Sequence, residues 1–237
     1  MKENGSKVRQ YQKLCCEAEP PMTLQKVEEA INKRMVIINE EFSSGFELVK
    51  NHPRSVTFFG SSRFLEDNVY YKQAMKLSER IVKELNYAVV SGGGPGIMEA
   101  ANKGAFEVGG ISLGLVIKLP AEFMANKYLT DFREFTFFFS RKVMLSFSAE
   151  TYVFFPGGFG TMDELFEILT LVQTKKIPKV PIVLVGKKHW NKVDEFIRET
   201  LFKEINTIDE EDMDIYKITD SEDEIIEIIK KAPLRKE

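Results

Sequence analysis

The sequence predicts an α/β protein with a Rossmann-like, doubly wound parallel sheet and helices on both faces. Several apolar runs are continuous rather than alternating, as in strands that are covered on both sides. The segments between them carry apolar residues at helical spacing, so strands and helices alternate along the chain. Glycine-rich turns lie where an apolar run ends and a helical pattern begins, which is the ligand-binding edge of such sheets.

Each predicted element rests on one of these patterns. The apolar runs predict strands at 55–62, 87–94, 111–118, 134–140, 151–158, 180–186 and 215–219. Helical spacing predicts helices at 71–86, 95–108, 141–150, 161–176, 190–204 and 221–231. Before them, residues 23–51 predict one or two amphipathic helices that break near Ser43-Ser44-Gly45. We expect a flexible tail over residues 1–22 and a single domain with an N-terminal helical arm over residues 23–237.

Composition and charge exclude several classes of function. With 33 basic and 36 acidic residues the net charge is −3, which lacks the excess of basic residues typical of nucleic-acid binders. No apolar run approaches the roughly 18 residues that span a bilayer, and the first residues lack the apolar core of a secretory signal. The only cysteines, Cys15 and Cys16, are adjacent and fit a reducing compartment. We therefore expect a cytoplasmic protein that binds neither nucleic acid nor membrane.

Three turns carry the candidate ligand site: residues 60–63, 91–96 and 156–161. Glycines let backbone N–H groups converge on an anion, and a helix that starts there adds partial positive charge. The candidate phosphate-binding residues are Gly93, Gly94, Gly96, Gly157, Gly158, Gly160 and Thr161. The alternative interpretation is that the glycines only permit tight turns between strands and helices.

The sequences of these turns favour a mononucleotide as the ligand over a dinucleotide. A dinucleotide fold needs G-x-G-x-x-G after the first strand and an acidic residue at the end of the second. Here Gly92, Gly94 and Gly96 form G-x-G-x-G after the second strand, and the next strand ends in Lys118. The chain also lacks G-x-x-x-x-G-K-[ST], so a P-loop nucleotidase is disfavoured.

Two residues are the candidates for chemistry. Thr161-x-x-Glu164 has the form of a helix capping box, which alone explains both residues, but a carboxylate beside a phosphate site can also orient water. Arg141 is expected at the sheet edge, after an apolar strand, where its guanidinium can bind phosphate or a carboxylate. Weaker candidates share these turns or their flanks: Ser61, Arg63, Met98, Glu99 and Lys142.

Other kinds of site find no support in the sequence. The only histidines, His52 and His189, lie on separate stretches without Ser-His-Asp order or clustered metal ligands, so a triad or a metal site is not predicted. The aromatic run at 135–139 is interpreted as sheet core rather than as a surface on which bases stack.

Three motifs then resemble the LONELY GUY family, the cytokinin riboside 5'-monophosphate phosphoribohydrolases, often misnamed lysine decarboxylases. They are SGGGPGIMEAANKGA at 91–105, SRKVM at 140–144 and PGGFGTMDE at 156–164, the last matching P-G-G-x-G-T-x-x-E at every fixed position. The resemblance runs from about Val56 to Gly186. GGGPGIME is one residue tighter than the short plant-type pattern, as in the longer second-type subgroup.

The resemblance implies a catalytic pair and a reaction. Arg141 matches the family's catalytic arginine, Glu164 matches its catalytic glutamate, and residues 157–161 match its phosphate-binding loop. The implied reaction is hydrolysis of a purine or cytokinin nucleoside 5'-monophosphate to the free base and ribose 5-phosphate, without metal or organic cofactor, in a homodimer or larger even assembly. A pyridoxal enzyme would need a Schiff-base lysine, and the sequence singles none out.

Two readings without turnover stay open beside this one. Carriers of nucleotide or molybdenum cofactor use similar glycine turns to hold a phosphorylated ligand, and a regulatory sensor would bind nucleotide without cleaving it. The pair Arg141 and Glu164 separates the hydrolase from a carrier, because a carrier does not need these residues.

Overall fold

The computed structural model describes residues 23–119 and 125–233. Its strands are β1 Ser55–Phe59, β2 Ala88–Ser91, β3 Ser112–Ile117, β4 Asp131–Phe135, β5 Thr151–Phe154, β6 Ile182–Leu184 and β7 Tyr216–Ile218. They form one seven-stranded sheet in the order β4-β3-β2-β1-β5-β6-β7. Every neighbouring pair is parallel. The predicted fold class is confirmed.

Helices connect these strands. The α-helices are α1 Leu24–Lys50, α2 Val69–Leu85, α3 Ile97–Glu107, α4 Phe138–Phe147, α5 Phe159–Gln173, α6 Lys187–Glu195 and α7 Glu222–Lys231. A π-helix at Phe196–Glu204 continues α6, and a 3₁₀ helix covers Glu210–Asp214. None of the helices within the described ranges is long and apolar enough to cross a membrane.

The helices cover both faces of the sheet with separate apolar cores. One core packs residues of α1, α4, α5 and α6 against one side of the strands, with Trp190 fully buried in it. The other packs α2, α3 and α7 against the opposite side. Successive residues of β5 alternate between the cores, because side chains of a strand point to opposite faces.

The strand order reverses beside β1. From β1 the chain builds β2, β3 and β4 in one direction, then crosses over to place β5 on the other side of β1. The loops that follow β1 and β5 therefore leave the sheet side by side and diverge, which opens a crevice at the carboxyl ends of these strands.

The predicted strand at 134–140 is wrong. The strand in this region, β4, ends at Phe135. Helix α4 begins at Phe138, three residues before the predicted helix start at 141. Of the aromatic run, Phe135 is fully buried but Phe138 is 59% exposed. The aromatic residues suggested a strand by their local preference, whereas helix packing across the sheet decides the outcome.

The predicted helix break near Ser43-Ser44-Gly45 is also wrong. Helix α1 runs without interruption from Leu24 to Lys50. Gly45 does not interrupt the helix. A glycine is needed there because a Cβ would lie only 2.6 Å from Cγ of Met144. The glycine lets α1 and α4 approach closely.

The chain divides into two compact units, with the boundary between residues 37 and 38. In the first unit, the structure describes the start of α1, where Leu24, Ile31 and Val36 are more than half exposed. The second unit, Ile38–Glu237, contains the sheet. The predicted tail at 1–22 and the pair Cys15 and Cys16 lie outside the described residues.

Candidate active site

A cavity of about 1000 Å³ opens at the crevice beside β1 and β5. The loops after these strands form its floor, and residues of α4, α5 and α6 form its walls. Of the predicted site residues, it brings together Ser61, Arg63, Met98, Arg141, Gly157, Gly158, Gly160, Thr161 and Glu164. Most of both candidate groups, phosphate-binding and catalytic, therefore share one space.

The start of α5 presents bare backbone to this cavity. Gly158 is the N-cap and supplies no side chain to cap the helix. A Cβ on Gly158 or on Gly160 would meet nothing within 4 Å, so both positions border open space. The first N–H groups of a helix lack partners within it and carry partial positive charge. An anion in the cavity is the natural partner for this helix start.

Hydrogen bonds through Ser61 tie the three predicted turns together. Its backbone N–H donates to the carbonyl of Pro156 at 3.0 Å, and its own carbonyl accepts from the N–H of Ile97 at 3.0 Å. Gly96, with φ +71°, lies so close that a Cβ there would collide with the Ser61 carbonyl oxygen. This glycine holds the β1 and β2 loops in contact.

Three of the four glycines in the turn after β2, Gly93, Gly94 and Gly96, do not line the cavity. The carbonyls of Gly93 and Gly94 instead accept hydrogen bonds from Asn126, at 2.8 and 3.1 Å. Gly92, which was not a candidate, is the glycine of this turn that borders the space.

Arg141 lies in the first turn and a half of α4, which begins three residues before the predicted helix start at 141. Its Nε donates to the carbonyl of Leu115 at 2.6 Å and its Nη2 to that of Gly92 at 3.4 Å. A Cβ on Gly92 would collide with Nη2, so the glycine makes room for the guanidinium. Burial lowers the pKa of Arg141, and attraction from Glu164 opposes that shift. The arginine is held in place by two carbonyls beside the catalytic candidate.

Glu164 is buried in α5, 7% exposed, and its Oε2 has no hydrogen-bond partner among the residues that the structure describes. Burial raises the pKa of this carboxyl to about 7, although Arg141 acts in the opposite direction. The predicted capping box does not form, because the helix begins at Phe159, two residues before Thr161. Helix capping therefore does not account for this carboxylate, whose buried charge costs stability.

The other weak candidates have structural partners. Glu99 accepts a hydrogen bond from the Tyr71 hydroxyl at 3.0 Å, and Lys142 forms ion pairs with Asp163 and Glu167, each at 2.9 Å. Neither Glu99 nor Lys142 lines the cavity. Across residues 23–119 and 125–233, no three His, Cys, Asp or Glu side chains are grouped to hold a metal ion.

The cavity residues that were not site candidates include Phe138, Phe159 and His189. Phe159, the variable position of the P-G-G-x-G-T motif, is 97% exposed, and Phe138 is 59% exposed. His189 lies in the first turn of α6, and its Nε2 is buried without a partner in the described part of the chain. The signal for His189 was its place just after the strand that neighbours β5.

Sequence comparison finds a family and distant relatives. The family model described as "Possible lysine decarboxylase" matches residues 98–229. Cytokinin riboside 5'-monophosphate phosphoribohydrolase LOG5 of Arabidopsis thaliana is 26% identical over 134 residues, which cover 54% of this chain and 56% of that protein. The chain thus matches little more than half the length of this relative.

Solved structures share the fold. The molybdenum cofactor carrier protein of Chlamydomonas reinhardtii aligns with a TM-score of 0.57 at 18% identity, over 76% of this chain and 97% of that one. The molybdenum cofactor binding protein of Rippkaea orientalis aligns with a TM-score of 0.53 at 18% identity, over 74% and 93%. At such identity the likeness extends to the fold alone.

Proposed function

This chain belongs to the LONELY GUY family, whose model is described as possible lysine decarboxylase, and we propose that it is a nucleoside 5'-monophosphate phosphoribohydrolase. The reaction joins water to the ribose of the nucleotide and releases ribose 5-phosphate and the free base. The observation that carries the proposal is Glu164, a buried carboxylate with an unpaired oxygen, in the wall of the cavity at the start of α5.

The phosphate belongs at the start of α5 in this proposal. The open backbone at Gly158 and Gly160 leaves room for its oxygens, and the helix N-terminus favours their charge. Thr161, in the same turn, also borders the cavity. Anchoring the phosphate there puts the ribose toward Glu164, in the next turn of the helix.

Glu164 then acts on the anomeric carbon. As the bond to the base breaks, positive charge develops on the ribose, and the carboxylate stabilises it. The same carboxylate accepts a proton from the attacking water, whose oxygen bonds to the anomeric carbon while the departing base nitrogen takes up a proton. Arg141 stabilises the ionised form of Glu164 by attraction between their charges.

Release of base from two substrates tests this proposal. AMP and isopentenyladenosine 5'-monophosphate are incubated with the purified chain, and the free base is measured by chromatography. We expect cleavage of at least one, reduced about 10²- to 10⁴-fold in Glu164→Gln because the proton acceptor is lost. Glu107→Gln, which changes an exposed carboxylate of α3, is the matched control and should keep full activity.

The two substrates also separate the alternatives. Faster cleavage of the isopentenyl compound supports a cytokinin-releasing enzyme, as the name of the Arabidopsis relative describes that protein. Faster cleavage of AMP supports a purine nucleotide hydrolase. Binding of both nucleotides without release of base contradicts the proposal and supports a carrier or sensor.

We also propose that the chain assembles as a homodimer. Helix α4 presents Phe139, Val143 and Phe147 at intervals of four residues, all 39–49% exposed. Phe46 of α1, 41% exposed, packs edge-on against Phe147 with ring centroids 5.4 Å apart and extends this row. An exposed apolar row of this kind is typical of a protein interface.

A further inference from the structure

A carboxylate from α1 lies at the start of α4. Glu41 is 5% exposed, and it accepts hydrogen bonds from the backbone N–H of Thr136 and the hydroxyl of Ser140. The N-cap of α4 is Phe137, which offers no capping side chain. Glu41 therefore ties α1 to the residue just before the N-cap of α4 and to the hydroxyl of Ser140 in its first turn, and its negative charge is favourable next to the positive end of α4.

Close packing fixes Glu41 in that position. The buried residues of α1 are Glu41, Gly45, Leu48 and Val49, which lie on one face of the helix. Gly45 allows α1 to approach α4 until a Cβ would lie 2.6 Å from Met144. A carboxylate on a helix packed this tightly has little freedom to move relative to α4.

Helix α4 carries one wall of the cavity. Phe138, Arg141 and Leu145 all line that space, and Arg141 directly follows Ser140, the residue that Glu41 holds. The guanidinium fits between the carbonyl of Leu115 and Gly92, where no atom can be added at Gly92 without collision. A small shift in the start of α4 therefore moves Arg141 out of this fit.

We propose that Glu41 is a positioning residue, which places Arg141 through the start of α4. The inference rests on the proposed function for its kinetic consequence. It makes the C-terminal half of α1 part of the catalytic apparatus, although the family model begins only at Met98.

Kinetics with three variants test this role. In Glu41→Ala we expect kcat to fall about tenfold to a hundredfold, because displacement by about 1 Å is enough to cost that much. The KM for the nucleotide should stay within about threefold, since the phosphate site at α5 makes no contact with Glu41. Glu41→Gln keeps the size and one acceptor oxygen, so it should recover part of kcat. Glu40→Ala, an exposed neighbour on α1, should behave as wild type.

An NMR measurement tests the placement without catalysis. Arg141 has a buried Nε–H bonded to Leu115, so we expect a resolved, slowly exchanging ¹⁵Nε resonance, assigned by its absence in Arg141→Lys. That resonance should shift or broaden in Glu41→Ala and partly return in Glu41→Gln. If Glu41→Ala does not fold, Glu41→Gln against wild type decides.

The outcomes separate the two proposals. A wild-type chain that cleaves no nucleotide overturns the proposed function, while the Arg141 resonance still tests the role of Glu41. If Glu41→Ala lowers the melting temperature but leaves kcat and the Arg141 resonance unchanged, Glu41 only stabilises the fold, and the positioning role is overturned. Loss of kcat together with a perturbed resonance supports it.

Discussion

Glu164 is held where its charge is poorly solvated. The folded chain raises the pKa of this carboxyl from 4.5 to about 7, and burial is the largest cause. Between about pH 4.5 and 7 this carboxyl is ionised in the unfolded chain but still protonated in the folded chain, so its contribution to stability is lost as pH rises through this range. The residue is thus kept at a cost to the fold, as is common for catalytic groups.

The same shift predicts how activity depends on pH. Below pH 7 most Glu164 is protonated and unable to accept a proton from water, so kcat/KM for AMP, which reports the free enzyme, should rise between pH 6 and pH 8 with a midpoint near 7. A rate profile from pH 5 to 9 measures this.

The substrate phosphate also titrates, near pH 6, and needs a control. AMP binding to Glu164→Gln over the same pH range shows how much of the profile comes from the ligand. A kcat/KM that falls between pH 6 and pH 8 after this correction would show that the protonated form of Glu164 is the active one and contradict the proposed role.

At the scale of elements, a substitution at the start of α5 should change substrate binding without lowering the stability of the fold. Gly160 lies in the first turn of the helix and borders open space. Gly160→Ala should therefore leave the free energy of unfolding unchanged or raise it by up to about 1 kcal/mol, since alanine favours helix. Its methyl group enters the proposed phosphate space, so the KM for AMP should rise about tenfold or more. Thermal melts and initial rates measure the two effects.

Gly104→Ala is the contrasting control for that experiment. A Cβ at Gly104 would collide with the backbone oxygen of Met75, where α2 and α3 pack together away from the cavity. This variant should lose stability. If Gly160→Ala binds and cleaves AMP as wild type does, the phosphate does not sit at the start of α5.

Element boundaries show where the sequence was insufficient. Arg141 and Glu164 were identified through motifs, but Arg141 was expected as the first residue of a helix and is the fourth residue of α4, and the capping box expected for Glu164 does not form. Both errors concern where a helix begins: α4 starts before Arg141, and α5 starts before Thr161. The carboxylate at the start of α4 comes from Glu41, 99 residues from Ser140 in sequence, so no local pattern reveals this contact.

For the whole molecule, continuous apolar strands and intervening helices were enough to predict the parallel sheet and its ligand edge. Two features needed coordinates: the neighbour of β1 across the sheet, and the side chains around the cavity. Phe159 and His189 lie in the sequence after two different predicted strands, and the pairing of β5 with β6 brings them to one space. Likewise, Gly93 and Gly94 follow a strand at the right edge, but Asn126 occupies their carbonyls.

Assembly is the prediction that belongs to this scale. We expect light scattering to give the mass of a dimer for the native chain. Val143→Lys puts a charge in the middle of the exposed row on α4 and should shift the mass toward the monomer. Ile205→Lys, at a residue 51% exposed outside α1 and α4, should remain dimeric. A monomeric native chain, or a dimeric Val143→Lys, would rule out this interface.

The pairing of β1 with β5 also sets the order of events during synthesis. Val56 pairs with Thr151, so the central strand of the sheet waits for a partner made almost a hundred residues later. A ribosome must release the chain beyond Glu164 before the two loops can meet. Contacts so distant in sequence form slowly, and until they do, the apolar edge of β1 is open to other chains. The feature that creates the crevice thus makes the nascent protein most exposed to misassembly while its site is still missing.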